Sequence, residues 1–140
     1  MAAMSLYALE RQVAISAVSR ACALTSSVFT KLIKSEMLTK EDRTPVTIAD
    51  LSSQALINTI LGSAFPSDPI VGEEDARDLR GTGEAQRLIR ERITNLANEA
   101  LTRPLSGDER KEWGLGDIKS TDELLDAIDR GSYPGGNKGR

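Results

Sequence analysis

The 140-residue chain contains no histidine. That absence removes a Ser-His-Asp or Cys-His triad, histidine-ligated zinc and imidazole acid–base chemistry together. It has one cysteine, Cys22, so neither an internal disulfide nor a cysteine zinc cluster can form within it. Neither sign of charge is in large excess, with 18 Lys and Arg against 21 Asp and Glu, a net of −3. A surface for nucleic acid or anionic membrane would need a clustered basic excess. The opening MAAMSLYALERQ lacks the basic segment and apolar core of a secretory signal. No run reaches the ~18–20 consecutive apolar residues of a membrane span. These bounds predict a soluble intracellular protein, cytoplasmic and built around one core. Aromatics are only 4%, thin for a self-sufficient core, which suggests that part of the core comes from elsewhere.

What is present is mainly helical periodicity. Leu6, Leu9, Val13, Ala17, Ala21, Leu24 and Val28 recur at three- and four-residue steps and predict one long amphipathic helix from Met4 to about Leu32. Cys22 lies beside this stripe and reads as a small buried thiol. Ser35 to Thr44 breaks the period and predicts a surface loop, with Pro45 pushing Thr44 out of the helical region. Thr47-Ile48-Ala49-Asp50 fits a capping box that opens a second helix, with Asp50 in its first turn. Leu51, Ala55, Leu56, Ile60, Leu61, Ala64 and Phe65 give that helix a broad apolar face, and Pro66 stops it.

Ile70 and Val71 make a very short β-type run, followed by a charged, glycine-punctuated loop over Arg77–Gly83. A third helix is predicted over Glu84–Leu101, then loop or a helical turn around Trp113. Ser120-Thr121-Asp122-Glu123 is a second capping box, opening a short helix that closes at Gly131. Residues 132–140, SYPGGNKGR, predict a flexible glycine-rich tail. The count is four helices and barely one strand, and a lone strand cannot cover its own edges. Residues 1–140 therefore read as a single partial domain.

Chemistry concentrates in two acidic places. One is Asp50, at the start of a helix; the other is Gly72-Glu73-Glu74-Asp75, after the apolar run. Phosphoryl transfer with Mg²⁺ needs hard oxygen ligands at a rigid place and a carboxylate to orient or deprotonate water. The two acidic places together read as half of such a divalent-metal site. Each also has a plain structural reading, Asp50 as a helix-capping acid and the acidic run as a solvated turn.

The order K-x-D-x-S/T-P-V-T-x-x-D, a helix, then F-P-x-D-P-I-V-G-E-E-D resembles the inositol-monophosphatase superfamily of Mg²⁺-dependent, Li⁺-sensitive phosphatases. Here the residues are Lys40, Asp42, Thr44, Pro45, Val46, Thr47 and Asp50, then Phe65, Pro66, Asp68 and Pro69 through Asp75. The opening LERQVAISAVSRACALT and closing IDRGSYPGGNKGR are similar to fungal 3′(2′),5′-bisphosphate nucleotidases of sulfate assimilation and salt tolerance. The resemblance implies an α/β fold, the layered α+β sandwich of the inositol monophosphatase type. Of that fold this chain would be the helix-rich N-terminal part, with one or two short strands. It implies Glu73 as a Mg²⁺ ligand, Asp50 as the carboxylate that activates water, and Glu74 in support. Lys40 and Asp42 would lie on a mobile loop closing over the metals. Small nucleotides are the implied partners: PAP, hydrolysed to AMP, and PAPS, hydrolysed to APS, with no nucleic acid and no membrane.

The family's D-P-I/L-D-G-T motif, which carries two further metal-binding aspartates, is not among the 140 residues. The nucleotide-binding residues are not identifiable either. The expectation is that this polypeptide is the N-terminal portion of such a phosphatase and inactive alone. Two other readings stay open: an inositol phosphate phosphatase of the same superfamily, and a non-catalytic helical module that binds a partner or self-associates through uncovered helix faces.

Overall fold

A computed structural model describes residues 6–34 and 44–134. Four α-helices form among them: α1 (Ala8–Lys34), α2 (Thr44–Ala64), α3 (Glu84–Leu101) and α4 (Thr121–Asp129). Short 3-10 turns at Arg77–Arg80 and Lys111–Trp113 punctuate the connections. The hub is α2, which packs against α1, α3 and α4. Its apolar residues face both ways, with Ile48, Leu51, Ala55, Leu56 and Ile60 all buried. A helix covered on more than one side needs such a wide apolar surface.

The start of α2 differs from the capping-box expectation. The helix begins at Thr44, so Thr47 lies within it and Asp50 falls in its second turn rather than its first. Pro45 supplies the reason. A proline in the first helical turn loses no hydrogen bond and brings a backbone angle already suited to the helix. The other end behaves as expected. Phe65 N–H still reaches Leu61 O at 2.8 Å, and Arg130 Nη2 donates to Pro66 O at 2.7 Å, satisfying a carbonyl past the helix end.

In α1 the buried stripe is Val13, Ala17, Leu24 and Val28. Leu6 and Leu9, expected in that stripe, are exposed, and so is Cys22, which is not the buried thiol expected. Cys22 sits about 200° around the helix from Leu24, on the opposite face. Ala8–Lys31 is long and apolar enough to cross a membrane by length and composition, although its Ser and Thr residues interrupt any apolar run. About a third of that window is already buried inside the fold.

Two polar devices fix the remaining packing. Arg20, only 4% exposed, pairs with Glu109 through Nε–Oε2 at 2.9 Å and Nη2–Oε1 at 3.1 Å. Its Nη1 donates to Ala100 O at 2.6 Å, the Ser16 hydroxyl also bonds Glu109, and the 102–113 loop is thereby held on α1. Asn98 of α3 exchanges hydrogen bonds with the Lys119 backbone, both at 2.8 Å, and sets the approach to α4. That helix has the cap its sequence predicts, with Ser120 Oγ accepting from Glu123 N–H at 3.1 Å.

The expected strand reduces to one isolated antiparallel bridge, Val71 to Ser132, with Gly72 N–H donating to Gly131 O at 2.8 Å. No strand forms among the described residues, so the part described is helical and no sheet layer is seen there. The bridge is short because Ser132 follows α4 directly, while Pro69 and Pro134 bring no N–H to extend a ladder. Ser132, expected to begin a free tail, is thus tied to Val71; residues 135–140 lie outside the described residues.

Candidate functional site

The acidic turn is placed by a row of polar side chains on α2. Asp50, Gln54 and Asn58 are spaced four residues apart and so lie along one face of the helix. Gln54 bonds the Glu74 backbone as a peptide would: Oε1 accepts from Glu74 N–H at 3.0 Å and Nε2 donates to Glu74 O at 2.7 Å. The same Nε2 donates to Ile128 O at 2.9 Å, and Asn58 Nδ2 donates to Ala127 O at 2.9 Å. Ala127 and Ile128 lie in the last turn of α4, where carbonyls have no partner within their own helix. The row on α2 therefore caps α4 from outside and holds Glu74 in the same grip.

Close approach demands glycine at two points. A Cβ on Gly72 would lie 2.7 Å from Gln54 Oε1, and one on Gly131 would lie 3.1 Å from Gly72 Cα. From the other side, Asp129 Oδ1 accepts from Ala76 N–H at 2.8 Å and Oδ2 accepts from Arg80 at 2.8 Å. Burial alone would raise the Asp129 carboxyl; the Ala76 N–H and the Arg80 guanidinium outweigh it and hold it below its ordinary value. The run from Gly72 to Ala76 is thus fixed at both ends.

Asp50 and Glu73 are exposed and Glu74 is half-buried. Burial, then the charges of Asp50, Glu73 and Asp75, raise the Glu74 carboxyl above its ordinary range. The charge of Asp50 is thus felt at Glu74 in the acidic run. The structure does not complete a metal centre: among the described residues no group of three or more His, Cys, Asp or Glu side chains gathers to hold an ion. Mg²⁺ requires near-octahedral oxygen ligation and dehydrates reluctantly, so the donors here fit only part of its shell, and no catalytic step follows from them alone. Lys40 and Asp42, expected on the closing loop, lie outside the described residues.

Two clefts lie elsewhere. One of about 440 Å³ runs between α1 and the 103–113 loop; another of about 620 Å³ runs between α2 and α4. Neither is lined by Asp50, Glu73 or Glu74. Sequence reasoning missed Gln54, Asn58 and Asp129. The signal that could have found the first two is the polar four-residue period inside an otherwise apolar helix.

No protein-family model matches the chain. Curated proteins do. The chain is 45% identical over 135 residues to the 3′(2′),5′-bisphosphate nucleotidase of Schizosaccharomyces pombe, a match covering 94% of this chain and 36% of that protein. It is 38% identical over 134 residues to the enzyme of the same name from Emericella nidulans, covering 96% and 36%. A third relative, 3′(2′),5′-bisphosphate nucleotidase 1 of Arabidopsis thaliana, is 40% identical over 136 residues, covering 96% and 36%. Nearly all of this chain is therefore similar to bisphosphate nucleotidases, and it spans about a third of the length of the relatives it matches.

Proposed function

We propose that this chain is the N-terminal portion of a phosphatase of bisphosphate-nucleotidase type, acting on small nucleotides such as PAP and PAPS. It contributes one part of a Mg²⁺-dependent, Li⁺-sensitive site and is inactive alone. In this reading Glu73 is one metal ligand and Asp50 orients or deprotonates the attacking water, with Glu74 supporting and Lys40 and Asp42 on the closing loop. Two or more Mg²⁺ would polarise the phosphate and stabilise the leaving oxygen when bound. The rest of the layered α/β sandwich, and the remaining ligands, belong to residues outside this chain.

The observation that carries the reading is the joint hold on the acidic run. Its backbone is fixed to α2 and α4, and beside burial the charges of Asp50, Glu73 and Asp75 raise the Glu74 carboxyl within it. A carboxyl held among like charges on a fixed backbone is a place where a cation would be favoured. Similarity to named nucleotidases over 94% of the chain supports the same reaction class.

The test is phosphate release from PAP. Residues 1–140 alone should release none. A longer polypeptide carrying this segment with the rest of the enzyme should release phosphate only with Mg²⁺ and be inhibited by Li⁺. Asp50→Ala or Glu73→Ala in it should abolish turnover. Undiminished turnover in either variant would remove that residue's role, and Mg²⁺-independent release would remove the reading.

A further inference from the structure

Gln54 makes more bonds than a helix cap requires. Asn58, one turn further along α2, caps α4 with a single bond from Nδ2 to Ala127 O at 2.9 Å. Gln54 matches that bond from Nε2 to Ile128 O, also at 2.9 Å, and then closes a reciprocal pair with the Glu74 backbone at 2.7 and 3.0 Å. The pair with Glu74 is not needed to meet the open carbonyl of α4. Two glycines make room for the amide, since a Cβ on Gly72 would lie 2.7 Å from Oε1 and one on Gly131 would lie 2.9 Å from Nε2. Two backbone bonds and two missing side chains thus serve one contact with the acidic run.

What that contact governs is Glu73. On its N-terminal side Gly72 N–H donates to Gly131 O at 2.8 Å; on its C-terminal side both backbone groups of Glu74 are held by Gln54. The Glu73 backbone is therefore fixed through both neighbours while its side chain stays exposed. Asp50, also exposed, stands one turn before Gln54 on the same helix. We infer that Gln54 is the positioning residue that sets Glu73 against Asp50, so that the two carboxylates keep one separation through α2. The inference rests on the activity proposed above, in which these two acids act together. Gln54 acts through Glu73 rather than on substrate.

A primary amide is suited to this task. It carries an acceptor and two donors in one plane, so it can pair with a peptide N–H and C=O while its second N–H reaches Ile128 O. A glutamate would keep the acceptor and lose both donors, and a leucine of similar bulk would lose all three bonds. A catalytic group misplaced by about 1 Å can cost on the order of 10²-fold in rate. Loss of the tether therefore shows in turnover beyond what it shows in stability.

The test uses the longer polypeptide of the preceding section with PAP, at a temperature where circular dichroism shows wild type and variants folded. Gln54→Leu should lower kcat by about tenfold or more and leave KM for PAP within about twofold. It should raise the Mg²⁺ concentration for half-maximal rate by about tenfold or more. With no substrate present, Mn²⁺ binding read by electron paramagnetic resonance should weaken by a similar factor. Asn58→Ala is the control, because it removes an equivalent cap and leaves the acidic run untouched. It should lose similar stability in urea while kcat and Mn²⁺ binding stay within about twofold of wild type. Should Gln54→Leu fail to fold, Gln54→Met, which keeps the length of the side chain, takes its place. Unchanged kcat and Mn²⁺ binding in the Gln54 variant, or equal losses in the Gln54 and Asn58 variants, would overturn the positioning role alone. Wild-type turnover that needs no Mg²⁺, or that survives Asp50→Ala, would instead overturn the proposed activity and this role with it.

Discussion

Replacing Glu109 by Gln keeps the shape of the 106–113 loop and removes one charge. Burial alone would raise this carboxyl; the Arg20 guanidinium, the Ser16 hydroxyl and the Ser106 N–H overcome it and bring it from 4.5 to about 2. Holding the carboxyl down from 4.5 to about 2, at ~1.4 kcal/mol for each tenfold, corresponds to about 3–4 kcal/mol of stability at neutral pH. The sign follows from the direction. The folded value is depressed, so the contribution is complete above the ordinary carboxylate range and is lost as pH falls through about 2. At pH 3.5 about 2 kcal/mol should remain. Glu109→Gln also strands Arg20 in the core with a weaker partner, an independent route to a loss of similar size. Urea unfolding of wild type and variant at pH 7 and pH 3.5, read as a two-state transition, should show a difference that shrinks by about two fifths at the lower pH. A difference below about 1 kcal/mol at pH 7 would place the pair among ordinary surface ion pairs and refute the reasoning. An equal difference at both pH values would mean the effect is packing rather than charge.

Three further outcomes follow from the hold on the acidic turn. Gln54→Leu removes the bonds to Glu74 and Ile128 and should cost about 2 kcal/mol, with faster amide exchange at Glu74 by NMR. Gly131→Ala would drive a Cβ to 2.9 Å from Gln54 Nε2 and should cost ~1–3 kcal/mol, read as a lower melting temperature and loss of protection at the Gly72 amide. Glu74→Gln should raise the melting temperature at pH 7. The Glu74 carboxyl is raised in the fold, so whatever stability it brings is present at low pH and lost as pH rises through its folded value; a variant no more stable than wild type at pH 7 would contradict the crowding.

The helices were legible because their punctuation is local. Pro66 ends α2 because it has no N–H to continue the ladder, and Ser120 with Glu123 opens α4 through a bond between near neighbours. The start of α2 misled because two signals compete within three residues, and Pro45 outweighs the Thr47 box. Register on α1 misled for another reason. A helix apolar on both faces has no unique inner stripe, so Leu6, Leu9 and Cys22 were drawn inward when the fold leaves them outside. In the site, motif spacing predicted that Asp50 would come near the acidic run. It could not predict the side chains that bring it there, since an amide inside a helix reads as solvent-facing until the carbonyl it meets is known. The Arg20–Glu109 pair, 89 residues apart, was beyond any local pattern.

The polar row on α2 explains how the acidic turn is fixed. A short helix such as α4 ends in carbonyls that must find donors. Here two of them find Gln54 and Asn58, and Gln54 spends its remaining capacity on Glu74. One side chain thus ties the end of α4 to the acidic run, and Asp50 stands one turn away on the same helix, about 6 Å along its axis. The spacing between the two acidic places is therefore set by α2 itself rather than by a loop. The charges of Asp50, Glu73 and Asp75 all act on Glu74, and the backbone that carries the acidic run is bonded to two helices. The capping and packing bonds a few ångströms away therefore hold the acidic run in place against α2 and α4.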